Sequence, residues 1–150
     1  ITTSYVKIQS MQNVNISLPD GYTNPVIVPS NDYQKMCKDM SHIASVMKIR
    51  SKNNYITFYC NAGDVYSREV AFGEIDEDSD SDDDENIYDC SFDTEQMCRL
   101  VKISGLSNRM QVYTHTGLPL FFKTRVGTLG VLGIYIKSNE QLEKEELGDV

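Results

Sequence analysis

The feature that most limits how this chain can fold is a repeated order of elements. Met36-Cys37-Lys38 and Met97-Cys98-Arg99 share a Met-Cys-basic pattern, 61 residues apart. Around the first, residues 26–28 read as a short strand. A helix follows, with Ser30 as its expected N-cap. Met36, Met40 and Ile43 at i, i+4, i+7 form its apolar face. "VMKIRS", "YITFYCN" and "DVYSREVAFG" are then three strands, the first two joined by the turn-forming "KNN". The second unit repeats this order. "IYDCSF" is a strand, and Asp93 with Gln96 three residues on resembles a capping box. Met97, Leu100, Val101 and Ser104 line one helical face, and "RMQVYTH", "LPLFFKTRV" and "LGVLGIYIKS" are three more strands. A unit of about sixty residues buries too little surface to stand alone, whereas two can share one core. The expected fold class is α+β: two strand-helix-three-strand repeats, with two helices packed side by side on one face of an antiparallel sheet.

That arrangement has a chemical consequence. Lys35 and Lys38 fall on the helix face away from the apolar stripe, three residues apart. Arg99 and Lys102 do the same on the second helix. Side-by-side helices would merge these four cations into one basic surface.

Charge is distributed unevenly. The chain carries a net −8, but residues 74–85 hold nine acids and no base, and residues 140–150 carry a net −4, so the remainder holds +5. The acidic run is too charged to pack and is expected as a solvated, mobile loop. A mildly basic body with segregated acid suits contact with a polyanion.

Several classes are excluded as expectations. No run of 18 apolar residues is present, so no membrane partner is expected. The start is Ile1, with no basic-then-apolar signal pattern, and the chain reads as a segment of a longer protein. Asn15-Ile16-Ser17 matches a glycosylation acceptor by chance. Cys37, Cys60, Cys90 and Cys98 form no C-x-x-C pair and read as small core residues. With only His42 and His115, no metal site or cofactor is expected. The acidic run lacks the Gly and terminal Glu of a calcium loop. No phosphate loop, nucleophile elbow or Cys/His pairing suggests an enzyme.

The stretch "VPSNDYQKMCKDMSHIASVMKI" resembles proliferating cell nuclear antigen, the eukaryotic-type DNA sliding clamp. Pro29, Ser30, Tyr33, Lys35, Cys37, Lys38, Asp39, Ser41, His42 and Ile43 carry the likeness. "LPLFFKTRVGTLGVLGIYI" is similar to that family's closing hairpin, with Pro119, Leu120, Gly130, Leu132 and Tyr135 in register. The resemblance runs from about Tyr5 to Ile136. It implies a DNA-clamp domain. Residues 1–9 would be the last strand of a first domain, 10–24 the interdomain connecting loop, 25–138 the second domain with an acidic loop at 74–86, and 139–150 an acidic tail.

The resemblance also implies a function. Three subunits of that family close into a ring around duplex DNA, with helices lining the hole. The clamp is a non-enzymatic processivity factor in DNA replication and repair. Lys35, Lys38, Arg99 and Lys102 would face DNA and hold its phosphates without reading bases. DNA polymerase and other partners dock through a short hydrophobic peptide. Carried over by position, the groove would involve Ile16, Leu18, Pro19, Pro119 and Tyr135. Where the family continues Ala-Pro after the closing strand, this chain has Lys137-Ser138. The subunit interface would use Val65, Tyr66, Ser67, Arg68, Glu69 and Val70. The implied location is the nucleus, or the cytoplasmic replication site of a large DNA virus. The alternative is a clamp-like adaptor that binds partner peptides without encircling DNA.

Overall fold

The computed structural model describes residues 1–12, 17–74 and 87–148. The element order follows the expected duplication. The first unit is β1 (Val26–Pro29), α1 (Ser30–Met40), β2 (Val46–Lys52), β3 (Tyr55–Ala62) and β4 (Tyr66–Gly73). The second is β5 (Tyr88–Asp93), α2 (Thr94–Arg99), α3 (Val101–Ser104), β6 (Arg109–Tyr113), β7 (Leu120–Val126) and β8 (Gly130–Ile136), and a further helix, α4 (Asn139–Gly148), closes the described chain.

The strands form two four-stranded antiparallel sheets, ordered β1-β6-β7-β8 and β4-β3-β2-β5. Each sheet takes three strands from one unit and the leading strand from the other. The exchange is symmetric: Pro29 ends β1 opposite Arg109, and Asp93 ends β5 opposite Val46. The Ser30 N–H donates to the Asn108 carbonyl and the Thr94 N–H to the Ser45 carbonyl, both at 2.9 Å. Neither unit can complete a sheet without the other.

This geometry corrects the register of the repeat. Buried Ser30, Tyr33, Met36 and Met40 of the first helix match buried Thr94, Met97, Leu100 and Ser104 of the second. The structural offset in the helices is therefore 64 residues. Met36-Cys37-Lys38 corresponds to Leu100-Val101-Lys102. The Met-Cys-basic likeness is one turn out of step, because a shift of three residues turns a helix by roughly 300° and nearly restores the same face.

One core joins both sheets and both helices. Tyr33 sits at its centre, fully buried. Its ring meets Phe58 and Phe122 edge-on, at centroid distances of 6.1 and 5.9 Å. Its hydroxyl donates to the Met97 carbonyl at 2.7 Å and so ties α1 to α2. Met36 and Met97 are core residues, as expected. The four cysteines are free. Burial, and then neighbouring Cys98, push the Cys37 thiol up to about 12, so it packs as a small apolar group without thiolate chemistry.

Local expectations met mixed outcomes. Asp93 caps α2 by accepting from the Glu95 N–H at 2.9 Å. Ser30 is not the cap of α1. Pro29 holds that position, and the Ser30 hydroxyl is spent on the Ser107 carbonyl at 2.6 Å. Asn53 supplies the left-handed turn between β2 and β3 with φ 55°. Residues 1–9, expected as a strand, carry none and are exposed, since no ladder partner reaches them. Residues 139–148, expected only as an acidic tail, are α4. Ser138 and Gln141 make a reciprocal capping box, at 3.0 and 3.2 Å, and Lys137 pairs with Glu145. Most of the expected acidic loop lies outside the described residues.

Candidate functional site

The first candidate surface is the outer side of the helix pair. Lys35 and Lys38 leave α1 roughly opposite its buried side, and both are exposed. Arg99 and Lys102, at the 64-residue equivalents, are exposed as well. The helices run antiparallel, because the start of α1 bonds to the chain after α3 and the start of α2 to the chain after α1. Gln34 reaches Ser104 at 3.0 Å, so neighbouring Lys35 lies near the level of Lys102. The Cys98 Sγ donates to the Cys37 carbonyl at 3.4 Å, so Lys38 lies near the level of Arg99. The four cations thus share one side of the paired helices.

They are not equivalent electrically. Arg99 pairs with Glu95 one turn back at 2.9 Å, with both side chains about three-quarters exposed. Among the described residues Lys35, Lys38 and Lys102 make no ion pair. Exposed pairs of this kind contribute only about 0.3–0.5 kcal/mol, yet Glu95 still cancels most of Arg99's charge at a distance.

The second surface is the outer face of the β1-β6-β7-β8 sheet. Phe121 stacks on Tyr135 at 4.3 Å with rings 3° from parallel. Tyr113 stacks on Phe121 from the other side at 5.1 Å. These are cross-strand neighbours on β6, β7 and β8. Gly133 makes room for the Phe121 ring, since a Cβ there would sit 2.8 Å from it. Tyr22, from the segment before β1, tilts over all three rings, and its hydroxyl donates to the Pro119 carbonyl. Burial, then Tyr135, raises the Tyr22 hydroxyl to about 12, so it stays a donor.

Expected groove residues are therefore partly assembled. Pro119 and Tyr135 meet around Tyr22. Leu18, 64% exposed, and half-buried Pro19 precede it along the chain. Ile16 lies outside the described residues. Sequence reading missed Tyr22, Tyr113 and Phe121; for Tyr113 and Phe121 the available signal was their alternation with buried positions in β6 and β7.

The expected interface strand is β4, an edge of its sheet. Val65 and Tyr66 are exposed there, at 92% and 51%. Ser67 and Glu69 face outward and Val70 inward. Arg68 points to the helix side, where it pairs with Asp39 of α1 at 2.9 Å. It is engaged within the chain instead of projecting from the edge. The opposite edge, β5, is covered: both Glu140 carboxylate oxygens accept from the Ser91 N–H, at 3.1 and 3.0 Å.

Two antiparallel sheets with exchanged leading strands, backing a pair of helices that present cations, define a DNA-clamp domain. Residues 18–139 match the family model described as "Proliferating cell nuclear antigen, C-terminal domain", and the chain belongs to that family. It is also 26% identical over 140 residues to a "Probable DNA polymerase sliding clamp 1" of Paramecium bursaria Chlorella virus 1. The alignment covers 91% of this chain and 53% of that protein, so the chain spans about half the length of the curated relative it matches.

Proposed function

We propose that this chain is the second-domain half of a sliding clamp, a non-enzymatic processivity factor for DNA polymerase. In this reading subunits close into a ring, a homotrimer when full length, around duplex DNA. Residues 1–9 and 10–24 are the last strand of a first domain and the connecting loop. Lys35, Lys38, Arg99 and Lys102 line the hole, and β4 pairs with a neighbouring subunit through residues 65–70. Ile16, Leu18, Pro19, Pro119 and Tyr135 hold the hydrophobic peptide of a polymerase or of another replication or repair protein. The protein acts at the site of DNA replication, in the nucleus or in a viral replication compartment.

The observation that carries the reading is the pairing of exposed cations at positions 35 and 99 and at 38 and 102, related by the repeat. A ring that slides needs phosphate attraction without base contacts. Exposed cations on α1, α2 and α3 provide it. The test is retention of the full-length protein on nicked circular DNA against release from the linearised form. Loss at the same rate from both refutes encirclement.

A second reading has one observation in its favour. Glu95 sits within the cationic surface and neutralises Arg99, while the aromatic face is well built. A clamp-like adaptor that binds peptides without encircling DNA would need the second and not the first. Peptide binding with no circular-DNA retention would select it.

A further inference from the structure

The outer face of the β1-β6-β7-β8 sheet has two halves of different chemistry. At one end lie the stacked rings of Tyr113, Phe121 and Tyr135 under Tyr22. Further along the same strands, on the same side, come Lys123, Arg125 and Arg109. Lys123 follows Phe121 by two residues, about 7 Å along β7. Arg125 follows by four. The Thr124 hydroxyl reaches the Arg109 carbonyl at 3.5 Å, which places Arg109 beside Arg125. The three cations border a cleft of about 450 Å³. None of them has an ion-pair partner among the described residues.

The register puts no acidic residue on this outer face among the described residues. The companion sheet offers an internal comparison. Its outer face also carries Lys48 and Arg50, but Arg50 pairs with Asp89 at 3.0 Å, and Glu69 lines the same cleft. One sheet balances its own cations and the other leaves them unbalanced. An unbalanced cationic patch continuous with an aromatic patch complements a ligand that is apolar at one end and anionic at the other.

We infer that partners docking on this face carry an acidic segment beside their apolar anchor, and that Lys123, Arg125 and Arg109 select it. The inference rests on the peptide-docking reading above. The occupant is a protein segment rich in Asp and Glu. A nucleic acid fits less well, because the rings are stacked on one another and Phe121 is covered on both faces, so they make a poor platform for bases. The acidic side must point toward Arg125. The other end of the face lies near acidic α4, whose Gln141 reaches the Gly117 carbonyl.

The test compares two synthetic probes on the full chain by fluorescence anisotropy at 50 mM salt. One peptide has an apolar anchor of Leu and Phe with a run of four Glu on one flank, made with the run at either end; the other has Gln in those places. Three exposed charge pairs predict that the Glu peptide binds about tenfold tighter, with the advantage shrinking at 300 mM salt. The double variants K123E/R125E and K123Q/R125Q, with unchanged circular dichroism, should lose the advantage and keep affinity for the Gln peptide. Equal binding of the two peptides overturns this inference alone. Persistence of the advantage in both variants also overturns it, as does a 20-nucleotide single strand that competes with the Glu peptide for the wild-type patch. Failure of both peptides to bind removes the docking reading and the inference with it.

Discussion

The repeat makes a quantitative prediction about DNA association. Lys38 and Lys102 occupy equivalent positions on two antiparallel helices, both exposed and without ion-pair partners among the described residues. Their replacement by Gln should have equal effects. Removing one lysine–phosphate interaction lowers the slope of log K against log salt by about 0.9. Between 50 and 200 mM salt that amounts to about a threefold smaller fall in affinity for each lysine replaced. Lys35 and Arg99 are likewise equivalent in position but not in charge, because Glu95 holds the Arg99 guanidinium at 2.9 Å. K35Q should therefore match K38Q, whereas R99Q should change the slope by less than half as much. E95Q should strengthen association by freeing Arg99. The assay is equilibrium binding of the full-length protein to a 30-base-pair duplex across four salt concentrations. If R99Q equals or exceeds K35Q, the view that Glu95 neutralises this corner is wrong. If K38Q and K102Q leave the slope unchanged, the helix pair does not face DNA.

Other expectations follow from the packing. Y33F removes a buried hydroxyl that donates to Met97 at 2.7 Å; it should lower stability by about 1–1.5 kcal/mol and Tm by about 2–6 °C, and calorimetry showing no shift would dismiss the cross-helix tie. G73A places a Cβ 1.9 Å from the Asn54 carbonyl oxygen at φ +99°, so it should destabilise by at least about 2 kcal/mol, read by urea denaturation. Partial burial raises the Glu140 carboxyl, but the Ser91 N–H and the Ser91 and Ser138 side chains outweigh it, and its pKa lies below the ordinary 4.5. The α4 attachment is therefore complete above about pH 4.5 and weakens as pH falls through the lowered value; the Ser91 amide shift should move only in that acid range, and a transition near pH 6 would contradict this.

Much of the fold was legible because periodicity reports burial. Alternation marks β2, β3, β6 and β7, and the helical stripes of Met36 and Met40 and of Met97 and Leu100 are buried as their spacing implies. The strand exchange was not legible. Whether β1 pairs with β2 or with β6 depends on long-range pairing that leaves no local signature, so one sheet was expected where two exist. The 61-residue likeness misleads for a physical reason: a three-residue slip keeps a side chain within roughly 60° of its old direction. The cations at 35, 38, 99 and 102 survive that slip because helical spacing reports the face and not the register. Their inequality was legible in principle, since Glu95 precedes Arg99 by four residues on the same helical face. The aromatic face was half legible. Pro119 and Tyr135 came from family resemblance, whereas Tyr22 lies in a segment without periodicity, and only the folded chain brings it over the rings.

The exchange of leading strands bears on assembly. Two sheets have four edges: β1 and β8 on one, β4 and β5 on the other. Unpaired edges invite association unless covered. β1 and β4 lie against each other where the two sheets meet, and β5 is capped by Glu140 of α4. β4 and β8 are the last strands of their units, equivalent under the repeat, and they carry exposed apolar groups: Tyr66 at one edge, Val131 and Leu132 at the other. A closed ring requires two distinct, complementary edges on every member, since an isologous interface alone stops at a dimer. In the proposed ring β4 and β8 offer two such edges, while α4 withdraws β5. Exposing β5 by E140A should then raise self-association of the chain, read by light scattering, and an unchanged scattering mass would contradict the capping role of Glu140.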